Sequence, residues 1–143
     1  MNIKQLSVFI ENKKGRLAEV TGILRDNNIN IRALSLADTS DFGILRIIVD
    51  DPDKAKEVLK DKEFVVKESD VLAIEIEDKP GGLSKVLDVL SSNDIDIAYM
   101  YAFVEKKETN AIVIFKVSDN DKTVDVLKNN GISVVSHNII KEL

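Results

Sequence analysis

A chain of 143 residues has room for one ordinary domain or for two of about 70 residues each, near the lower size that folds alone. Apolar residues at 44% and charged residues at 31% describe a globular protein able to bury a core, which excludes a disordered or fibrous chain. The net charge of -5, with Lys and Arg scattered among Asp and Glu, leaves no basic stripe to neutralise phosphates, so no nucleic-acid partner is expected.

The opening segment MNIKQLSVFIENKKG carries charges where a signal peptide needs an apolar core, and no apolar run reaches bilayer-spanning length. With no cysteine for a disulfide, a thiol nucleophile or a thiolate metal site, the expectation is a cytoplasmic protein with no membrane partner. Leu6, Val8 and Ile10 alternate as in a strand, and Leu17, Val20 and Leu24 then follow the helical template up to the polar turn Asn27-Asn28. A β-rich run from Ile31 to Ala37, a polar turn from Asp38 to Asp41 and the apolar run Ile44 to Val49 predict a hairpin whose second strand is central in a sheet. Asp51-Pro52-Asp53 starts a second helix carrying Ala55, Val58 and Leu59, because Asp caps free amides and Pro suits a first turn. Phe64 to Val66 supplies a closing strand.

The pattern then restarts. A shift of 66 residues lays Leu6 to Leu17 on Leu72 to Leu83, and Val20, Leu24, Asn27, Ile29 and Ile31 on Val86, Leu90, Asn93, Ile95 and Ile97. After a two-residue insertion within Lys106 to Asn110, Gly43 to Val49 falls on Ala111 to Val117, and Ile132 to Val135 closes the second copy. The order is βαββαβ twice, which predicts an α+β protein of two tandem ferredoxin-like units, residues 1–70 and 71–143, with antiparallel sheets and helices on one face. No Gly/Pro/Ser linker separates them near Asp70, so close docking is expected rather than a flexible tether.

The turns between first strand and first helix read Glu11-Asn12-Lys13-Lys14-Gly15-Arg16-Leu17 and Glu77-Asp78-Lys79-Pro80-Gly81-Gly82-Leu83. A Gly at a helix start lets the chain turn sharply and sets free N–H groups, at the positive end of the helix, against an anion such as a carboxylate. Asn12 and Asn30, or Asp78 and Asp96, are placed at one end of the sheet, where they accept hydrogen bonds from an α-ammonium group, with Phe42, Met100 and Tyr101 walling a side-chain pocket. The bland alternative makes the Gly residues turn formers, the Asn and Asp residues caps, and the apolar residues core. Arg16 of the first loop is replaced by Gly82 in the second, so the two potential sites differ chemically and one occupied site is expected rather than two. The turn Asp38 to Gly43 is the better candidate ligand contact, since its counterpart, Glu105 to Asn110, is longer and more charged.

These two turns, together with Asn28-Ile29-Asn30-Ile31 and Asp94-Ile95-Asp96-Ile97, resemble the ACT domain, with Lys14 standing where that family usually has Pro. The resemblance covers nearly the whole chain, twice. It implies a non-catalytic regulatory module that binds a small effector, an amino acid, at the strand–helix loops near the seam between units, with no cofactor. Ligand-binding residues on this reading are Glu11, Asn12, Gly15, Arg16, Leu17, Asn30, Phe42, Asp78, Pro80, Gly81, Gly82, Leu83, Asp96, Met100 and Tyr101. The first alternative is a regulatory subunit docked on an amino-acid biosynthetic enzyme, similar to the small subunit of acetolactate synthase. The second is a small hydrolase of the acylphosphatase kind, disfavoured because the loops lack a Gly-rich phosphate cradle.

Other constellations point to little chemistry. His137 has no second His or acidic partner and reads as a surface strand residue, not a metal ligand. Glu75 and Glu77 share one strand face and read as solvated carboxylates rather than an acid–base pair. The run Ile97 to Phe103 is apolar on both faces although it should be an edge strand, so the other repeat or a second chain is expected to cover it, as in a homodimer.

Overall fold

The computed structural model describes residues 2–38, 41–103 and 110–142. Thr39, Ser40 and most of the expected charged hairpin, residues 104–109 with the insertion, lie outside the described residues. Contacts divide the chain into an N-terminal repeat, Lys4–Ser69, and a C-terminal repeat from Asp70 onward, with which Asn2 and Ile3 cluster.

In the N-terminal repeat β1 (Ile3–Glu11) leads to α1 (Arg16–Asp26), the hairpin β2 (Ile31–Asp38) and β3 (Phe42–Val49), α2 (Pro52–Asp61) and β4 (Val65–Glu77). The strand order is β2-β3-β1-β4, so the apolar run predicted as central is central. The antiparallel register sets Val8 opposite Leu45 and Leu6 opposite Ile47, all of them buried on the face that α1 and α2 cover through Val20, Leu24 and Leu59. Burying such side chains contributes about 1.5–3 kcal/mol each.

The C-terminal repeat reuses this plan with α3 (Gly82–Ser92), β5 (Ile97–Ala102), β6 (Asn110–Val117), α4 (Asn120–Asn129) and β7 (Val134–Val135), in the order β5-β6-β4-β7. Leu72, Ile74, Val86, Leu90 and Phe115 form its core. Helix ends are satisfied by repeated chemistry. Asp51 and Asp119 accept from the amides of Lys54 and Lys122 at 3.2 and 3.1 Å, and the Nδ2 groups of Asn27, Asn93 and Asn130 each donate at 2.8 Å to a carbonyl four residues back. Asn28 and Asp94 follow at φ 57° and 55°, a region that Asn and Asp tolerate.

Three expectations fail here. The closing strand of one repeat and the opening strand of the next are a single strand, β4, because no Gly or Pro interrupts the extended run from Val65 to Glu77. The last strand is shorter than expected, only Val134–Val135, and a further helix α5 (His137–Glu142) follows, anchored by the fully buried Ile140. His137 therefore opens a helix instead of lying in a surface strand, half-buried, with an Nε2 that has no hydrogen-bond partner.

Candidate functional site

Gly15, between β1 and α1, holds φ 89° and ψ -8°, and Gly81, between β4 and α3, holds 86° and -6°. A side chain in that left-handed region costs about 1–2 kcal/mol. A Cβ at either position would meet nothing within 4 Å, so the backbone conformation and not crowding requires glycine. Lys13 pairs with Glu11 at 3.0 Å and Lys79 with Glu77 at 2.8 Å. The hydrogen bond and then the charge of each lysine hold both carboxyls below the usual carboxylate range, and Glu77 in turn raises the Lys79 ammonium.

Beside the Gly15 turn lies an open cleft of about 540 Å³, walled by Ile10, Leu17 and Leu36 and rimmed by Asn12, Lys14 and Asp38. The Asn12 amide donates to the Asp38 carboxylate at 3.3 Å, which ties the end of β1 to the end of β2. Leu17 and Leu36 are 40% and 53% exposed, so they offer an apolar wall rather than core. Lys14, Asp38, the paired Lys13 and Glu11, the Asn12 amide and three aliphatic side chains thus face one space, a set suited to a small zwitterion with an apolar side chain.

The C-terminal repeat differs at the same point. A Cβ on Gly82 would fall onto the carbonyl oxygen of Glu77, so α3 starts in close contact with the end of β4. Its cavity is about 130 Å³, lined by Gly82, Val86, Ile132, Ser133, Glu75 and Asn110 among others. Glu75 is half-buried and accepts from the Asn110 amide at 3.3 Å, so it is not the freely solvated carboxylate expected.

The sequence pattern of the ACT domain pair matches residues 1–143. The chain belongs to the ACT domain pair family. Among solved structures, the Bacteroides thetaiotaomicron protein BT0572 is similar over 100% of this chain and 98% of its own, with 45% identity and a TM-score of 0.93. The regulatory subunits of aspartate kinase from Thermus thermophilus and Thermus flavus share the fold at 15% identity, with TM-scores of 0.64 and 0.63. They cover 88% and 90% of this chain and 91% and 90% of their own. No curated protein matches in sequence.

Within the first ACT repeat, the structure brings Glu11, Asn12 and Leu17 to the cleft, with Gly15 shaping its turn and Phe42 next to Gly43 on its rim. Phe42 packs on Phe9, ring centroids 5.8 Å apart. Arg16 does not line the cleft: Nη1 donates to Glu19 at 2.8 Å, and the guanidinium carbon sits 4.4 Å from the Phe64 ring centroid.

Asn30 and Asp96 are not at the loop end, contrary to expectation. The amide of Asn30 donates to Asp50 at 3.1 Å and the carbonyl of Asp96 accepts from Ser118 at 3.1 Å, both at the far end of their sheets. The reason is directional: the helix carries the chain back, so the turn into the second strand lies where the first strand began. Asp96 instead borders a cleft of about 440 Å³ with Ser91 and Asp94.

Asp78 and Pro80 lie in the exposed β4–α3 turn, Gly82 is buried, and Leu83 is 36% exposed. Met100 and Tyr101 lie along the edge strand β5, opposite Phe115 and Ile114, with Tyr101 stacked on Tyr99. Neither lines the cavity under α3. Sequence reasoning passed over Lys14, Leu36 and Asp38 as individual ligand contacts. An exposed Leu alternating along an edge strand, as at Leu34 and Leu36, was the available signal.

Among the described residues no helix is long and apolar enough to cross a membrane, and no group of three or more His, Asp or Glu could hold a metal ion.

Proposed function

We propose that the protein is a non-catalytic regulatory module that binds an α-amino acid with an apolar side chain in the N-terminal cleft. Membership in the ACT domain pair family supports the regulatory role. The observation that carries the choice of ligand is the cleft itself, where Leu17 and Leu36 form an aliphatic wall beside Lys14, Asn12 and Asp38. The ligand's ammonium would pair with Asp38, its carboxylate with Lys14 and the first free amides of α1, and its side chain with the two leucines. The cytoplasm is the proposed compartment, in keeping with a chain that has no cysteine.

A thermal-shift screen against the common amino acids, with hits confirmed by calorimetry, tests this reading, since a ligand that binds only the folded state raises its melting temperature. The expected result is a saturable rise with aliphatic or aromatic amino acids, lost in Gly15→Asp and kept in Gly81→Asp. Loss in the Gly81 variant alone would move the site to the other repeat. No rise with any amino acid would favour a subunit that docks on a biosynthetic enzyme.

Leu34 and Leu36, 45% and 53% exposed on the edge strand β2, support a homodimer formed along that edge. Leu34→Asp should then shift sedimentation from dimer to monomer.

A further inference from the structure

Arg16 and Phe64 of the N-terminal repeat correspond to Gly82 and Ile132 of the C-terminal repeat. Gly15 and Gly81 cap the matching helices, and the amides of Phe64 and Ile132 donate to the carbonyls of Leu59 and Leu127 at 3.1 and 2.9 Å. In the N-terminal repeat the space under the first helix holds a cation, the Arg16 guanidinium lying 4.4 Å from the centroid of the Phe64 ring. At the matching positions the C-terminal repeat has no such stack: Gly82 has no side chain, Ile132 is smaller than Phe, and a cavity of about 130 Å³ remains.

A second pair of positions has changed alongside. Phe9 and Phe42, packed ring against ring at 5.8 Å, correspond to Glu75 and Asn110, joined by a hydrogen bond at 3.3 Å. The strand register confirms the match, with Glu11 opposite Phe42 and Glu77 opposite Asn110. An aromatic pair has thus become a half-buried carboxylate held by a neutral amide, and both residues line the cavity. Of the described lysines nearby, Lys79 is engaged by Glu77 at 2.8 Å, and Lys85, exposed on α3, lines the mouth of the cavity, where the lining carboxylates Glu75 and Glu77 outnumber it. The positive end of α3 opposes a cation there, yet the N-terminal repeat seats one at the matching point.

We propose that the cavity under α3 binds a small cationic group of the guanidinium or alkylammonium class, with Glu75 as its charge partner and Val86 and Ile132 as its apolar floor. The volume equals roughly four waters at about 30 Å³ each, room for a guanidinium and a methylene or two. This site is independent of the N-terminal cleft, and its test does not depend on any amino acid binding there.

Titration of the full chain with methylguanidinium, followed by amide chemical shifts in two-dimensional NMR, reads the site directly. Saturable shifts are expected at Gly82, Ile132 and Ser133, with none between Asn12 and Leu17. Methylurea, nearly the same shape without the charge, should produce no saturable shift. Glu75→Gln, which keeps the side-chain shape, should weaken the methylguanidinium response about tenfold, the loss of one charge-assisted hydrogen bond. Absence of saturable shifts at the three amides, an equal response to methylurea, or unchanged affinity in Glu75→Gln would each overturn the assignment.

Discussion

The N-terminal repeat seats Arg16 on Phe64 and packs Phe9 on Phe42, whereas the C-terminal repeat has Gly82, Ile132, Glu75 and Asn110 at the matching places. Around these positions the frame is preserved: the same left-handed glycine, the same lysine–glutamate pair and the same asparagine cap recur in both halves. Duplication has kept the parts that fold the backbone and released those that face the space beside it. The N-terminal repeat accordingly has its larger cleft outside the turn, while the C-terminal repeat has its smaller cavity beneath the helix.

If the two frames are energetically alike, truncating matched core leucines should cost the same. Leu24→Ala and Leu90→Ala, at 1% and 0% exposure, should each lose about 2–5 kcal/mol in urea unfolding, the usual range for a buried Leu. A clear inequality would break the equivalence. The matched pair Gly82→Ala and Arg16→Ala sharpens the contrast. The first must push the Glu77 carbonyl aside and should cost about 1–3 kcal/mol. The second removes a partly exposed stack and an ion pair with Glu19 and should cost no more than about 1 kcal/mol. Equal losses would mean that the helix starts are packed alike.

Asp51→Ala and Asp119→Ala, which remove equivalent caps, should each lower stability by about 1 kcal/mol, read as matched falls in urea midpoint.

The smallest effect concerns pH. The folded-state carboxyls of Glu11 and Glu77 are lowered, so their stabilising pairs are present above the unfolded-state carboxyl value and are lost as pH falls through the lowered one. The raised Lys79 acts oppositely, contributing below its unfolded value and losing that contribution as pH rises through the folded one. Both carboxylates are exposed and screened by salt, so Glu77→Gln should only slightly flatten the acid limb of the melting-temperature profile, and less so at high salt.

Much of the frame was legible because periodicity and turn chemistry are local. The alternation at Leu6, Val8 and Ile10, the helical spacing of Leu17, Val20 and Leu24, and the Asp51-Pro52 start all fold as they read. Their repetition after 66 residues made the architecture readable twice over. The site was less legible because residue type does not say which way a side chain leaves the turn. Arg16 reads as a ligand contact but folds back onto Phe64, a residue 48 positions away. Strand–helix–strand order alone puts the turns that carry Asn30 and Asp96 at the end of the sheet opposite the glycine loops. The short helix from His137 has too few residues to declare itself by propensity and exists through the burial of Ile140.

The contact between Gly82 and the Glu77 carbonyl also makes the two loops unequal hosts for a side chain. With strand and helix this close, anything larger than hydrogen at position 82 must first move the backbone of the preceding strand. Its counterpart, position 16, carries a full arginine without that displacement. The same turn is thus a closed seam in one copy and an open socket in the other.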